Sequence, residues 1–562
     1  MKSTYSDFFT RVIFLSLASL LIIFLGWPMY GTTDDNILAG FVDGSYTGER
    51  EKRLIFIRPL IGNILYFLQG LIPGVGMYST FLTLMVILSF SIFGTLLFSA
   101  QSAHNSKNLF QYSWYSVSFF AILWFTLTPT YTAASILVTT LSLLTITTYI
   151  FLPEVKKNVL NAIMLGSLLA CGFLIRPEGA LGVLPVSLGI ILFLGLKFKK
   201  ANIKSLALIV ATFCIFILSD YYLQSSSSNS EWKKYDRWNG LRHQVQHRVS
   251  QNYLGNLREQ INWSIPEYHL FMDLSFGDEK VFDYEWLKPG FELTNFTRGV
   301  DGVLNASVSE NIAKMLNLIS KYYYLILVQT FLGVLYLSRS DLSLKVKTII
   351  VSIVWVPLLS ALYYILATLH APNRSIFPLL LLPTIFLLTL LASGILEIRS
   401  NYSSRTKVFI GFFVALISIA LGSSLTESIK HNLNEKQLAI TFSKELTEFF
   451  QEGVFLGPGN TEIYETKNPF IGKAQWESPK MITVGNWDTF SPYWHERNIQ
   501  FGITDEPIYE ALFRENIYWL SNPAPDTSYY IELYLRENGQ NELSRQNVVE
   551  LQGGQRIFKF DR

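Results

Sequence analysis

Two adjacent aspartates, Asp34 and Asp35, follow the first long apolar segment of the chain. An ionised carboxylate beside hydrocarbon is costly unless a partner neutralises it or a reaction uses it. In such a place a carboxylate can remove the proton from a hydroxyl group as the hydroxyl attacks a carbon atom. The alternative interpretation is a solvated turn, because Asp and the following Asn36 both favour turns.

Three arginines stand beside other apolar segments, and each carries a guanidinium group suited to bidentate capture of phosphate: Arg58, Arg176 and Arg374. We predict that they bind a substrate phosphate, with Glu178 and His370 in supporting positions. A carboxylate beside such cations suits sugar transfer from a lipid phosphate, because the cations stabilise the departing phosphate. Two alternatives stay open: Arg176 and Glu178 neutralise each other at a helix turn, or Arg374 only reaches for the membrane interface.

Long apolar segments must position these residues. Half of the 562 residues are hydrophobic and only 16% are charged, which is typical of a polytopic membrane protein with a substantial soluble part. A segment of about 20 apolar residues crosses the hydrocarbon core. We predict about eleven transmembrane helices, at residues 12–29, 78–98, 112–127, 131–152, 159–175, 181–196, 206–223, 322–337, 349–369, 376–395 and 408–421.

The distribution of Lys and Arg predicts the orientation of these spans. Basic residues collect in every second connection, beginning with Lys2 and Arg11, so the amino terminus is predicted to be cytoplasmic. The first loop (31–75), a long loop (224–321) and the C-terminal domain (426–562) then lie on the external side. Both cysteines, Cys171 and Cys214, fall in predicted spans, so no disulfide is expected in the external parts, which fits a bacterial envelope protein.

The parts outside the predicted spans also have recognisable patterns. Residues 58–71 are too short to cross the membrane and predict an interfacial helix on its surface. The aromatic residues of the long loop, Trp232, Trp238 and Trp263 among them, suit either a saccharide-binding lid or a small core. The aromatic run 487–496 suits either glycan contact or packing and docking on the membrane part.

The C-terminal domain is predicted to be a small α/β domain. Its sequence predicts helices at 437–451, 507–514 and 529–536, and strands at 481–484, 517–520 and 556–560. A net charge of +2 argues against nucleic acid as a partner.

With the acid pair, the Arg58-Pro59 step and the Arg176-Pro177-Glu178-Gly179 turn, the chain resembles the GT-C superfamily of polytopic glycosyltransferases. The resemblance covers residues 12–390 as architecture and implies a polyprenyl-phosphate-linked sugar as donor. It also implies that Asp34 or Asp35 is the catalytic base, while the other orients the acceptor or binds a divalent cation. Magnesium, manganese or calcium would suit such oxygen ligands, with Asp35 as a candidate ligand. The Trp-Trp-Asp motif of oligosaccharyltransferases is missing from the C-terminal domain, which disfavours transfer of an oligosaccharide to protein.

The sequence therefore predicts a glycosyltransferase of the bacterial inner membrane, a multi-pass protein with a cytoplasmic amino terminus and a periplasmic carboxyl terminus. It would move one sugar, a hexose or a pentose, from a polyprenyl-phosphate carrier to a cell-envelope glycan or lipid-linked glycan. The alternative is a flippase or a polymerase-like protein that acts on lipid-linked envelope glycans. A transporter, however, more often places its charges near the middle of the membrane.

Overall fold

The computed structural model describes a membrane part made of helices and a C-terminal domain built on a β-sheet. The described residues are 2–100, 107–152, 155, 157–198, 202–227, 229–248, 263–296, 373–392, 404–449, 453–459, 468–472, 480–504, 507–522, 526–551 and 554–562, with a few positions between 313 and 359. The predicted spans 322–337 and 349–369 fall almost wholly outside the described residues, and His370 lies outside them.

The helices of the membrane part and its loops include long apolar helices and shorter or more polar ones. In chain order they are α1 (Lys2–Phe24), α2 (Thr33–Asp43), α3 (Pro59–Leu71), α4 (Met77–Ala100), α5 (Lys107–Leu127), α6 (Tyr131–Phe151), α7 (Val159–Ile175), α8 (Pro177–Phe198), α9 (Ile203–Ser227), α10 (Ser230–Arg248), α11 (Ile265–Met272), α12 (Tyr284–Phe296), α13 (Asn373–Ala392) and α14 (Ser404–Phe449).

Four described helices are long and apolar enough to cross a membrane: α1, α4, α6 and α9. Helix α7 and the start of α8 form a fifth candidate, bent by 115° at Arg176. The protein is thus a multi-pass, mainly helical membrane protein, while the number of eleven spans stays a prediction. Helix α13 contains Pro378 and Pro383, and its residues 374–387 form a shorter apolar helix.

Helix α6 forms the centre of the helical part. Nearly all of its residues are buried, and it packs against α4, α7, α8 and α13. Two of its hydroxyl groups are satisfied within the helix, since Thr147 and Thr148 donate to the carbonyl groups one turn earlier, at 2.7 and 2.8 Å. The outer helix α1 instead exposes Leu17, Leu20 and Leu21, as a lipid-facing surface requires.

The C-terminal domain carries a five-stranded sheet in the order β2-β1-β3-β5-β4. Its elements are β1 (Val454–Pro458), β2 (Lys480–Val484), α15 (Pro492–Gln500), a 3₁₀ turn (Glu510–Phe513), β3 (Ile517–Ser521), α16 (Thr527–Glu537), β4 (Ser544–Glu550) and β5 (Arg556–Asp561). Strand β1 is parallel to β2 and β3, whereas β5 is antiparallel to β3 and β4.

The α/β class predicted for this domain is confirmed, as are the strands at 481–484, 517–520 and 556–560 and the helix at 529–536. The helix predicted at 507–514 is wrong, because only the 3₁₀ turn forms there. The predicted helix 437–451 is the end of α14, a single helix of 46 residues that also contains the predicted span 408–421. The predicted domain boundary at 425/426 falls inside this helix.

Side chains from α14 tie the C-terminal domain to the ends of membrane helices. The Asn432 amide donates to the carbonyl groups of Trp27, just after α1, at 3.0 Å and of Leu127, the last residue of α5, at 3.3 Å. A second connection runs through backbone: Gly459, at the end of β1, donates to the carbonyl of Leu274 at 2.7 Å. Gly485, after β2, has a φ of +98° and lies against the same Leu274 backbone, where a side chain would collide. We call the side of the membrane that carries this domain the sheet side.

Candidate active site

The acid pair lies in the first turn of α2, on the sheet side. Thr32 is the N-cap, and its hydroxyl accepts a hydrogen bond from the Asp35 backbone N–H at 3.4 Å. Carboxylates in the first turn are favoured by the helix dipole, which explains why two acids can begin this helix. Asp34 and Asp35 thus start a helix rather than form the solvated turn that the sequence left open.

Asp35 is completely buried, and both oxygens of its carboxylate accept hydrogen bonds. Its Oδ1 atom accepts from the Tyr78 hydroxyl at 2.7 Å and from the Tyr131 backbone N–H at 2.8 Å. Its Oδ2 atom accepts from the Thr32 hydroxyl at 2.7 Å. Burial raises the pKa of Asp35 from 3.8 to about 6, although Arg374 and these donors act in the opposite direction. Asp35 therefore joins the start of α2 to the starts of α4 and α6.

Asp34 is in a different environment, since its side chain remains 21% exposed. Its Oδ2 atom accepts from Arg374 Nη1 at 2.9 Å, and its Oδ1 atom accepts from the indole N–H of Trp487 at 2.7 Å. The same Arg374 nitrogen donates to the Thr32 hydroxyl at 2.8 Å. Three distant parts of the chain, α2, α13 and the C-terminal domain, therefore meet at this one carboxylate.

Two of the predicted phosphate-binding arginines lie close to one aromatic ring, that of Tyr131. The guanidinium carbon of Arg176 is 4.8 Å from the ring centroid, and that of Arg374 is 5.8 Å away. Phe56 stacks on the same ring with its centroid at 5.9 Å. The structure therefore brings Arg176 and Arg374 together with Asp34 around the start of α6.

Arg176 occupies the break between α7 and α8. Its side chain donates to the Thr132 hydroxyl, and its carbonyl accepts from Ser135 at 2.8 Å, so α6 holds both ends of the residue. Glu178 is 77% exposed and 3.8 Å from Arg176, which is a weak, solvated ion pair. Mutual neutralisation does not account for the position of Arg176, and Glu178 makes no described contact with Asp34.

Arg58 has other partners. Its Nη1 atom donates to Gln224 at 2.9 Å, and its Nε atom is 3.9 Å from Asp220, both on α9. Asp220 also accepts from the Leu60 backbone N–H at 2.9 Å, so it caps the start of α3. Among the described contacts, none joins Arg58 to Asp34, Arg176 or Arg374. A helix does form over the predicted segment 58–71, as α3, and it exposes Phe67 and Leu71. Its position at the membrane interface stays a prediction.

The residues around the acid pair do not fit a divalent cation. Both oxygens of Asp35 already accept hydrogen bonds, and the Asp35 side chain is fully buried. The cation beside Asp34 is a guanidinium group. Among the described residues, no group of three or more His, Cys, Asp or Glu side chains is arranged to hold a metal ion. Asp35 as a metal ligand stays a prediction that its surroundings do not support.

Four residues of this site were not assigned to it from the sequence: Thr32, Tyr78, Tyr131 and Trp487. Three of them begin or cap helices, so their nearness to the acids depends on how α2, α4 and α6 pack. Trp487 belongs to the aromatic run 487–496, for which docking on the membrane part was one of two interpretations. The docking is observed, and Trp232, Trp238 and Trp263 of the long loop are likewise buried as core residues.

Comparisons with known proteins identify two similar solved structures. No protein-family model matches the chain, and no curated protein matches it. The crystal structure of ArnT from Cupriavidus metallidurans in the apo state is 14% identical, with a TM-score of 0.41 over 97% of each chain. The structure of the same ArnT bound to undecaprenyl phosphate is 12% identical, with a TM-score of 0.42 over 97% of each chain.

Proposed function

We propose that the protein is a membrane glycosyltransferase that moves a single sugar from a polyprenyl-phosphate carrier to a cell-envelope glycan or lipid-linked glycan. The observation that carries the proposal is the environment of Asp34: a partly exposed carboxylate held between Arg374 and Trp487, with Arg176 nearby. This arrangement offers a partly exposed base with two cations close to it, as transfer from a phosphate requires.

In this reaction Asp34 is the base and Asp35 is a positioning residue. The acceptor hydroxyl gives its proton to Asp34 while its oxygen forms a bond to the sugar carbon. The bond between that carbon and the phosphate oxygen breaks, and the carrier phosphate leaves with the electron pair. A carboxylate has about four lone-pair sites, so Asp34 can accept this proton while Arg374 and Trp487 remain bound. Asp35 has no exposed surface to receive an acceptor.

The two arginines would bind the donor phosphate. Arg374 supports this role with a buried Nε atom that has no hydrogen-bond partner in the described part of the chain. The site also lies where α4, α6 and α13 begin. On this proposal it is level with the head groups of lipids whose chains lie beside the apolar helices. A carrier with its chain in the bilayer would present its phosphate at this level. The donor, the acceptor and the periplasmic location of the reaction belong to this proposal.

The test is the composition of envelope glycans in a strain that lacks the protein and is complemented at matched protein levels. Wild type should restore one sugar, and Asp34→Asn should not, because the amide cannot take the proton and can accept from only one of the two donors, Arg374 and Trp487; removing a general base costs about 10²–10⁴ in rate. Asp35→Asn should retain partial transfer. Asp236→Asn, at an exposed ion pair with Arg53, is the matched control and should behave as wild type.

A flippase or polymerase-like function is the outcome that would contradict the proposal. It would give an unchanged repeat unit with altered chain length or amount, and Asp34→Asn would then resemble the control. The site favours transfer because its carboxylate and arginines stand at the ends of helices rather than midway along them.

A further inference from the structure

We propose that the C-terminal domain completes the catalytic site, with Trp487 as the residue that positions Asp34. The inference rests on the proposed function, since it assigns a task within the same reaction. Its starting point is the hydrogen bond from the Trp487 indole N–H to Asp34 Oδ1, at 2.7 Å.

The choice of acceptor distinguishes Trp487 from other tryptophans in the described part of the chain. Trp238 donates to the carbonyl of Phe282 at 2.7 Å, Trp494 to the carbonyl of Thr483 at 2.9 Å, and Trp519 to the Thr527 hydroxyl at 3.1 Å. Each of these bonds satisfies a buried indole with a neutral group of the interior. Trp487 instead donates to a partly exposed carboxylate, and a hydrogen bond to an ionised group is roughly twice as strong.

Trp487 is itself firmly held. It is buried, its carbonyl accepts from the Tyr235 hydroxyl of α10, and its ring packs against Phe56 at 4.7 Å and Phe41 at 6.2 Å, both with edge contacts. The loop that follows is anchored as well, because the Tyr46 hydroxyl donates to Asp488. A donor fixed in this way can determine the orientation of the carboxylate that it binds.

The consequence for Asp34 is that each of its oxygens has a different partner. Arg374 holds Oδ2 and Trp487 holds Oδ1, so rotation about the carboxylate axis would break two bonds at once. Without the indole N–H the carboxylate would be held at one oxygen only, by Arg374. Misplacement of a reacting group by about 1 Å can cost about 10²-fold in rate.

The test compares Trp487→Phe with Trp494→Phe in the full-length protein, using a polyprenyl-phosphate sugar donor in proteoliposomes. Both changes remove an indole N–H from a buried ring, but only the first acts on Asp34. Trp487→Phe should lower kcat by about 10- to 100-fold with little change in KM. Trp494→Phe should stay within about twofold of wild type at matched protein level.

A second variant covers the case in which Trp487→Phe does not fold. Tyr235→Phe removes the hydroxyl that holds the Trp487 backbone and leaves the indole in place, so it should lower kcat by a smaller factor. An unchanged kcat in the variants that fold would overturn the inference while leaving the proposed function intact. Absence of sugar transfer in wild type would overturn both.

Discussion

The starts of α2 and α3 are two regions of the sheet side that use the same chemical groups in different ways. Each brings an arginine and an aspartate together from distant parts of the chain: Arg374 with Asp34 at 2.9 Å, and Arg58 with Asp220 at 3.9 Å. At α3 the aspartate comes from another helix and caps the helix start through the Leu60 N–H. At α2 a threonine provides the cap, so Asp34 is not needed for that task.

The difference shows that the role of a carboxylate follows from what it accepts and how much solvent reaches it. The Asp220 side chain is 5% exposed and stabilises a backbone, whereas the Asp34 side chain is 21% exposed and is held by side chains alone. Asp220 therefore has a structural role at the start of α3, whereas Asp34 remains accessible to a substrate.

The largest difference between the two regions is expected when the arginine of each pair is replaced. Arg374→Gln should lower kcat/KM by about 10²–10³, because it removes a cation from the site and weakens one of the two hydrogen bonds that position Asp34. Arg58→Gln, the matched control, should lower it by no more than about fivefold through weaker packing of α3. Steady-state rates in proteoliposomes measure both. Equal losses would mean that Arg58 also binds the donor phosphate, as the sequence predicts.

A medium effect is expected when Asp220 is replaced. Asp220→Ala should reduce the free energy of unfolding by about 1–2 kcal/mol, because α3 loses its cap and Arg58 loses its counter-ion. Thermal unfolding in detergent should show a lower Tm, with kcat/KM of the folded fraction preserved. Loss of activity at an unchanged Tm would instead place Asp220 in the reaction.

The smallest effect concerns a third carboxylate, Asp488, which lies beside the α2 region. Burial raises the pKa of Asp488 to about 6, and its Oδ1 atom has no partner in the described part of the chain. Because the pKa of Asp488 is higher in the native state than in the unfolded chain, protonation stabilises the native state fully below about pH 4. This stabilisation is lost as the pH rises through 6. Asp488→Asn should therefore raise stability by about 1 kcal/mol at pH 8, since the unpaired amide offsets part of the gain.

The measurement for Asp488→Asn is the Tm of both proteins at pH 4 and pH 8. The gain should vanish or change sign at the acidic pH, where wild type is neutral at this position too and the cost of the unpaired amide remains. A gap of the same size at both pH values would show that packing, rather than ionisation, separates the variants.

The sequence located the candidate site but could not assign its parts. Adjacent acids after an apolar segment are a local pattern, so Asp34 and Asp35 could be singled out without a structure. Which acid is accessible depends on Tyr78, Tyr131 and Thr32, whose positions follow from helix packing. The same holds for the arginines, since Arg58 and Arg374 look alike until Asp220 and Asp34 are placed beside them.

The fold shows the same limit. Membrane helices and the α/β class of the C-terminal domain follow from hydrophobic runs and short-range periodicity. Strand β4 was missed because its residues, Ser544–Glu550, are mostly exposed and polar, as an edge strand allows. The shift in composition near residue 427 suggested a boundary between domains, yet helical structure continues across it in α14. Trp487 and Asp34 are too far apart in sequence for any local pattern to connect them.

The continuity of α14 has a mechanical consequence. At 1.5 Å per residue, 46 residues form a strut of about 70 Å, more than twice the thickness of the hydrocarbon core. A flexible tether would have to search for its docking position, at an entropic cost that increases with its length. A stiff helix limits that search to small rotations. The C-terminal domain therefore keeps its position relative to the membrane helices while the protein moves with the bilayer.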